Sequence, residues 1–166
     1  MADQIAVIRD GHLQQVGTPA EIYGHPTNLF VATFCGSPPM NVLDGEIVDG
    51  QFRHDRGAIP LPAAPRPGPA KLGFRPEHAG LSAVGTQGTF QAEIYVVEPL
   101  GNETLVTIKV GETLVNLRAA AGFERPIGEA CAVRPEPDHL HLFDTDTGAA
   151  LGDARASQPA ATGATA

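Results

Sequence analysis

A run of polar residues, Arg75-Pro76-Glu77-His78, is the densest group of side chains in this sequence that could do ionic or acid–base chemistry. The proline ends strand pairing and turns the chain outward, which brings the polar side chains close together. Arg75, Glu77 and His78 are therefore a candidate ion cluster that contacts a ligand or another domain. The alternative is a strand-end turn whose charges are solvated and contribute little energy.

The turn Gly101-Asn102-Glu103, between two predicted strands, is the second candidate. Backbone amides in such a loop can bind a small anion, which makes Asn102 and Glu103 candidate ligand-facing residues. The carboxylate of Glu103 would repel an anion, however. A hairpin with Asn or Gly in left-handed geometry explains the same residues, so both interpretations stay open.

A metal site is the third possibility, at His139 and His141. On a strand, residues two apart point to the same side, and with an aspartate nearby a zinc site is conceivable. Two histidines are a thin ligand set and apolar packing residues surround them, so no metal is predicted. Asp144 to Gly148 hints at a calcium loop, but Arg155 occupies the position of the bidentate glutamate, and a turn is predicted instead.

The residue types needed for nucleotide chemistry are missing. A phosphate-binding loop needs Gly-Lys-Ser or Gly-Lys-Thr, but neither of the two lysines, Lys71 and Lys109, follows a glycine-rich loop. Ser37 and Ser82 lack the sharp turn of a nucleophilic serine. We therefore expect this chain alone to have no enzyme activity and no cofactor.

Composition excludes further classes of function. The net charge is −8, and aromatic residues make up 5% with no tryptophan, whereas nucleic-acid binding needs clustered cations and stacking surfaces. We expect no nucleic-acid partner. No apolar run reaches the roughly 18 residues of a membrane span, and the first residues lack the basic head of a secretory signal.

The elements that position these residues fall into two parts. Two apolar runs joined by Asp10-Gly11 predict a hairpin. Thr18-Pro19-Ala20-Glu21 predicts a helix with a capping box, and a second helix is predicted from near Pro26 to Gly36. Strands then follow one another, punctuated by Gly and Pro, as in a small β-barrel or sandwich: Val42 to Val48, Ala70 to Arg75, Phe90 to Glu98, Thr104 to Val110, Thr113 to Arg118, Ala130 to Arg134 and His139 to Phe143.

A faint internal repeat joins two of these strands. KLGFRPEH (Lys71 to His78) and ACAVRPEP (Ala130 to Pro137) both run from an apolar strand into Arg-Pro-Glu, 59 positions apart. The repeat suggests two related β units in one barrel-like body. Between the strands, the proline-rich stretch Pro60 to Pro69 is predicted to be an extended connector.

Residues 2 to 41, ADQIAVIRDGHLQQVGTPAEIYGHPTNLFVATFCGSPPMN, resemble the closing segment of the ATP-binding subunit of a bacterial ABC importer of the carbohydrate-uptake type. Further on, GFRPEH, VEPLGNETLVTIKVG and DHLHLFDTDTGAAL follow the order of the regulatory TOBE domain in maltose-, sn-glycerol-3-phosphate- and multiple-sugar-type subunits. That domain is similar to the oligonucleotide/oligosaccharide-binding (OB) barrel. Together the two matches cover residues 2 to 151.

The resemblance implies a mainly β fold. An OB-like TOBE β-barrel would be preceded by a hairpin and two helices left over from an α/β ATPase domain. The implied boundaries are residues 1–36 for the end of the nucleotide-binding domain, 37–148 for the TOBE domain and 149–166 for a disordered tail.

The resemblance also implies partners. The family's ATPase subunit dimerises, binds ATP and Mg²⁺, acts with two permease subunits at the cytoplasmic side of the inner membrane, and receives signals from cytosolic regulatory proteins. This chain lacks the family's Leu-Ser-Gly-Gly signature, and Met1 stands where the family has an internal residue, so we expect a fragment that gives dimer and regulatory contacts. Arg75, Glu77 and His78 would then lie at a contact between regulatory domains. A barrel that senses a sugar or oxyanion is the alternative.

An uncovered hairpin would have a physical consequence. Ile5, Val7 and Ile8 would lie in a strand that the nucleotide-binding core normally covers. Exposed apolar edges pair with other chains. We therefore expect association or partial disorder over residues 1 to 16.

Overall fold

The computed structural model describes residues 3–63 and 65–153. Two short helices, α1 (Pro19–Gly24) and α2 (Leu29–Phe34), and two 3-10 turns, η1 (Pro76–His78) and η2 (Pro137–His139), interrupt a succession of strands. In chain order the strands are β1 (Ile5–Arg9), β2 (His12–Gly17), β3 (Asn41–Val48), β4 (Gln51–His54), β5 (Gly57–Pro60), β6 (Gly68–Phe74), β7 (Ala79–Ser82), β8 (Phe90–Pro99), β9 (Glu103–Val110), β10 (Thr113–Ala120), β11 (Ala130–Pro135), β12 (His141–Asp144) and β13 (Ala150–Asp153).

Residues 3–35 form a compact unit, the N-terminal segment. β1 and β2 pair through a turn in which Asp10 and Gly11 take positive φ, as predicted. The predicted capping box of α1 is also present: the Glu21 amide donates to the Thr18 hydroxyl, and the Thr18 amide donates to the Glu21 carboxylate. That amide lowers the pKa of Glu21. The second helix begins later than predicted, because the side chain of Asn28 caps it.

The apolar side chains of the hairpin divide between its two faces. Val7 is buried against Ile22 and Val31 of the two helices, so the expectation that it lies uncovered is wrong. Ile5 and Ile8 are exposed, as are Leu13 and Val16. The ladder is paired from β1 to β2, and association through its exposed face stays a prediction.

Residues 41–63 and 65–153 form the β body. Its strands follow the order β10-β9-β8-β5-β4-β3-β6-β12-β13, with β11 pairing both β7 and β8. One apolar core runs through the sheet from Leu43 to Leu142. The first and last strands of this order do not pair with each other. The buried carboxamide of Asn41 on β3 makes two hydrogen bonds to the backbone of Asn116 on β10, each 2.8 Å long. The predicted mainly β class is confirmed.

Several predicted boundaries are corrected. No strand is predicted from the sequence at β4, β5 or β7, and the predicted tail begins too early, because β13 pairs with β12. The tail from residue 154 onward lies outside the described residues. The proline-rich connector starts after Pro60, which ends β5, and stops before Gly68, which begins β6.

The internal repeat is a local two-fold arrangement. The unit β6-η1-β7 pairs with the unit β11-η2-β12, so that Gly73 faces His141 just as Arg134 faces Gly80. The two proline turns, η1 and η2, are 61 positions apart rather than 59. The repeat predicted from Arg-Pro-Glu therefore has the correct strands in a register that is two residues off.

Candidate functional site

Arg75 is the central residue of the candidate site. It follows β6, and its side chain is only 1% exposed. Its guanidinium donates to the Tyr23 carbonyl at 2.9 Å, to the Ala32 carbonyl at 3.0 Å and to the Cys35 carbonyl at 2.6 Å. The interpretation as a solvated turn charge is therefore wrong for Arg75, which binds the N-terminal segment to the β body.

The partners of Arg75 follow from the ends of the two helices. The last carbonyls of a helix have no partner within it, and the three acceptors lie at the ends of α1 and α2. The guanidinium also sits 3.9 Å from the ring centre of Tyr23. Burial lowers the pKa of Arg75, but a guanidinium stays protonated in proteins. A positive charge is thus buried among carbonyl oxygens and one aromatic face.

Glu77 joins the same contact through Tyr23. The Tyr23 hydroxyl donates to the Glu77 carboxylate in a short hydrogen bond. Burial and this bond raise the pKa of Tyr23. Burial opposes ionisation of Glu77 as well, but the bond from Tyr23, a backbone amide and electrostatic interactions with His78 and Arg118 bring its pKa below the usual value. Glu77 is therefore an anion held by a neutral phenol.

Arg118 connects this group to the second candidate. Its guanidinium pairs with the Glu103 carboxylate and donates to the Ser37 carbonyl at 2.8 Å. Glu103 is thus an ion-pair partner inside the protein. We call the set Tyr23, Arg75, Glu77, Glu103 and Arg118 the seam, because it joins the N-terminal segment and the following link to the β body.

Sequence reasoning named three residues of the seam and missed Tyr23 and Arg118. The pairing of β9 with β10 places Arg118 beside Leu105, two residues from Glu103. An opposite charge at that spacing on paired strands was the available signal. Tyr23 had none, since its hydroxyl meets Glu77 across 54 positions of sequence.

Asn102 lies outside the seam, on the exposed turn between β8 and β9. Gly101 takes positive φ, and the Leu100 amide donates to the Glu103 carbonyl at 2.8 Å. This is hairpin geometry of the kind that the second interpretation described. A role for Asn102 in binding an anion stays a prediction.

His78 faces a separate cavity of about 180 Å³. Its ring stacks on that of His139, with ring centres 3.7 Å apart. The cavity is also lined by His25 and His141. His139 belongs to η2 and only His141 to β12, so the idea that both rings project from one strand is wrong.

An open groove of about 730 Å³ lies on the β body. Arg56 and Arg134 line it together with the loop of residues 85–89. Both arginines are exposed. The groove therefore offers cationic, solvated walls of the kind that suit a polar ligand.

Comparison with known families decides what kind of chain this is. Residues 36–79 match the MalK OB fold domain, and residues 72–143 match the TOBE domain. The chain carries a TOBE domain. The two matches overlap at residues 72–79, so the stretch from the end of β6 to the start of β7, which contains Arg75, Glu77 and His78, belongs to both.

Curated relatives of this TOBE chain are import ATP-binding proteins. It is 42% identical over 161 residues to the xylose/arabinose import ATP-binding protein XacK of Haloferax volcanii, covering 91% of this chain and 42% of that protein. It is 38% identical over 156 residues to the sn-glycerol-3-phosphate import ATP-binding protein UgpC of Psychromonas ingrahamii, covering 89% of this chain and 41% of that protein.

A third relative extends the range of solutes. The sulfoquinovosyl glycerol transport ATP-binding protein SmoE of Agrobacterium fabrum is 33% identical over 156 residues, which is 89% of this chain and 43% of that protein. The predicted resemblance to the C-terminal part of such proteins is confirmed. The chain spans about two fifths of their length. Within the described residues, neither helix has the length and apolar character needed to cross a membrane.

Proposed function

We propose that this chain is the regulatory C-terminal portion of an ABC importer ATP-binding protein for a carbohydrate or glycerol-phosphate-like solute. The observation that carries the proposal is the TOBE match together with import relatives aligned over about nine tenths of the chain. ATP and Mg²⁺ would bind to the nucleotide-binding core of the whole protein. The chain alone has no phosphate-binding lysine and would not hydrolyse ATP.

The seam supports a regulatory role for the β body. Arg75 holds the ends of α1 and α2 with three charge-assisted hydrogen bonds, which are stronger and more directional than neutral ones. A movement of the N-terminal segment would therefore be passed to the β body as a rigid displacement. In this proposal the seam links ATP-driven motion of the core to the regulatory domain.

The partners in the proposal are a second copy of the subunit, the permease subunits and a cytosolic regulatory protein. The exposed apolar residues of the hairpin support a further contact, because the nucleotide-binding core of the whole protein would cover them. The complex would then sit at the cytoplasmic side of the inner membrane, held there by the permeases.

A chimera tests the proposal directly. The C-terminal two fifths of the Psychromonas protein would be replaced by this chain, and ATP hydrolysis and solute uptake would be measured. We expect activity in the chimera, weaker activation by the transport complex in a chimera with Arg75→Met, and none in the isolated chain. A folded chimera without hydrolysis, or ATP turnover by the isolated chain, would contradict the proposal.

The second candidate function is direct sensing of a sugar or oxyanion. The open groove with Arg56 and Arg134 favours it, since guanidinium groups bind oxyanions. Thermal melting with sulfate, phosphate and a panel of sugars checks it. A concentration-dependent rise in Tm that is lost in Arg56→Gln would support sensing, and unchanged melting would refute it.

A further inference from the structure

Four of the six histidines in this sequence line the same small cavity. His25, His78, His139 and His141 surround about 180 Å³, with Asp138 on the same wall. They come from the end of α1, both 3-10 turns and the start of β12. The fold thus brings imidazoles from distant parts of the chain to one place.

We propose that His78, Glu136 and His139 bind a first-row transition-metal ion such as Zn²⁺. One donor atom from each residue lies within 4.8 Å of the other two, and His139 Nε2 is 3.6 Å from the Glu136 carboxylate. Donors on tetrahedral zinc, with bonds of about 2.0–2.2 Å, stand roughly 3.4 Å apart. Modest side-chain rotation therefore brings the three donors to bonding distance.

The backbone holds these residues in place. His78 ends η1 and His139 ends η2, the two equivalent turns of the local two-fold. The Glu136 amide donates to the His78 carbonyl at 2.8 Å, and the His139 amide donates to the Glu136 carbonyl at 3.1 Å. The main chain thus fixes the spacing of the ligands, and binding has to reorient only side chains.

The contacts that exist without metal set the cost of binding. The rings of His78 and His139 stack with 17° between their planes, so their lone pairs lie in nearly parallel planes and the rings must splay to meet one ion. The cavity beside them provides room for that movement, and His25 and His141 also line it. Half-exposed Glu136 gives an ion access from solvent.

The donor set selects the class of ion. Imidazole nitrogens suit zinc, copper and nickel, whereas Mg²⁺ and Ca²⁺ prefer oxygen ligands. One ligating carboxylate and the nearby Asp138 make the site attractive to a dication and unattractive to an anion. The inference stands apart from the proposed function, since it concerns ligands within this chain alone.

The test is calorimetric titration of tag-free, chelator-treated chain with ZnCl₂, alongside the absorption spectrum with Co²⁺. We expect one ion per chain, a cobalt spectrum typical of a four-coordinate site with nitrogen and oxygen ligands, and no competition from Mg²⁺. His78→Gln, Glu136→Gln and His139→Gln should each weaken binding by about tenfold or more. His12→Gln, an exposed histidine on the hairpin, should bind as the unaltered chain does.

Folding is checked separately by circular dichroism and Tm without metal. Variants that keep the metal-free Tm but lose zinc binding support the site. The proposal is overturned if the chain takes up no stoichiometric zinc, or if His12→Gln lowers the affinity as much as His78→Gln does. It is equally overturned if the His78→Gln/His139→Gln double variant is folded and binds zinc unchanged.

Discussion

Arg75 is the side chain of the seam on which we expect the free energy of unfolding to depend most. Replacing it with methionine keeps much of the volume but leaves three helix-end carbonyls without their donor. We expect Arg75→Met to lower the free energy of unfolding by about 3 kcal/mol. Hydrogen exchange should also quicken in α1 and α2 while the amides of β8 and β9 stay protected.

The control for this prediction is another arginine. Arg53 forms an exposed pair with Asp49 at 3.8 Å, and Arg53→Met should change stability by no more than about 0.5 kcal/mol. Equal losses of unfolding free energy in the two variants would mean that burial does not increase the contribution of Arg75 to stability. Arg75→Lys should behave like Arg75→Met, because an ammonium cannot reach three diverging carbonyls in the same geometry.

Glu77 makes the seam sensitive to acid. Its pKa in the folded protein lies below the ordinary value of about 4.3, so it contributes stability above that pH. That stability is lost as pH falls through the lower, folded value. Glu77→Gln still accepts a hydrogen bond from Tyr23 but does not titrate. We therefore expect Tm to fall less in Glu77→Gln than in the unaltered chain between about pH 5 and pH 3.

Thermal melts across that range provide the measurement, and Glu98→Gln is the control. Glu98 is an exposed carboxylate on β8, and its variant should follow the unaltered chain. Identical pH profiles for the two variants would show that Glu77 is not coupled to folding.

Some features of these residues could be predicted from the sequence and others could not. Arg75, Glu77 and Glu103 could be singled out because charged residues beside proline or glycine are visible in the sequence. Burial of Arg75 could not, since its acceptors lie 40 to 52 positions earlier and are backbone carbonyls. No pattern of side chains in the sequence indicates which backbone carbonyl lacks a hydrogen-bond donor.

Among the secondary-structure elements, a side-chain contact joins β3 and β10, which do not pair as neighbouring strands. The carboxamide of Asn41 on β3 makes two hydrogen bonds to the backbone of Asn116 on β10, at 2.8 Å each. Asn41 is 4% exposed. We expect Asn41→Ala to cost about 2 kcal/mol, because a buried amide and carbonyl of β10 lose their partner.

Denaturant unfolding measures this loss, and Asn116→Ala is the matched control. That variant keeps the backbone bonds to Asn41 and removes only the side-chain bond from Thr107. It should cost less than half as much as Asn41→Ala. The opposite order would mean that the two strands are held by other contacts.

Strand predictions succeeded where one face is buried. β9 alternates perfectly between buried and half-exposed positions, and alternation is the strand signal. β4 and β5 were missed because the run from Arg53 to Arg56 is polar, although Phe52 and Ile59 reach the core. β13 was missed because small residues give no periodic signal. Its partner β12 determines it through pairing that only the folded chain provides.

At the scale of the whole molecule, the fold class followed from the order of motifs, while the register of the repeat did not. Arg-Pro-Glu placed Arg75 opposite Arg134, whereas the folded turns place His78 opposite His139. The two-fold relation is one between paired strands, and the pairing depends on where the turns lie rather than on identical residues in the sequence. The tripeptide therefore identified the related units correctly but aligned them in the wrong register.

The exposed face of the hairpin governs how the whole chain behaves in solution. Ile8 and Leu13 face each other across β1 and β2, 60% and 61% exposed. An uncovered apolar pair on a two-stranded sheet promotes contact with another molecule. We expect concentration-dependent association, measured by light scattering, that the Ile8→Glu/Leu13→Glu double variant abolishes without lowering Tm.

Ile127 is the control that distinguishes association through the hairpin from nonspecific hydrophobic association. It is 72% exposed on a loop of the β body, and Ile127→Glu should leave association unchanged, because the loop offers no strand to pair. A monomer at every concentration would refute the prediction. Association lost in both variants would place the contact elsewhere. Association through the hairpin alone means that the N-terminal segment presents, in this chain, the face that the proposed nucleotide-binding core would cover.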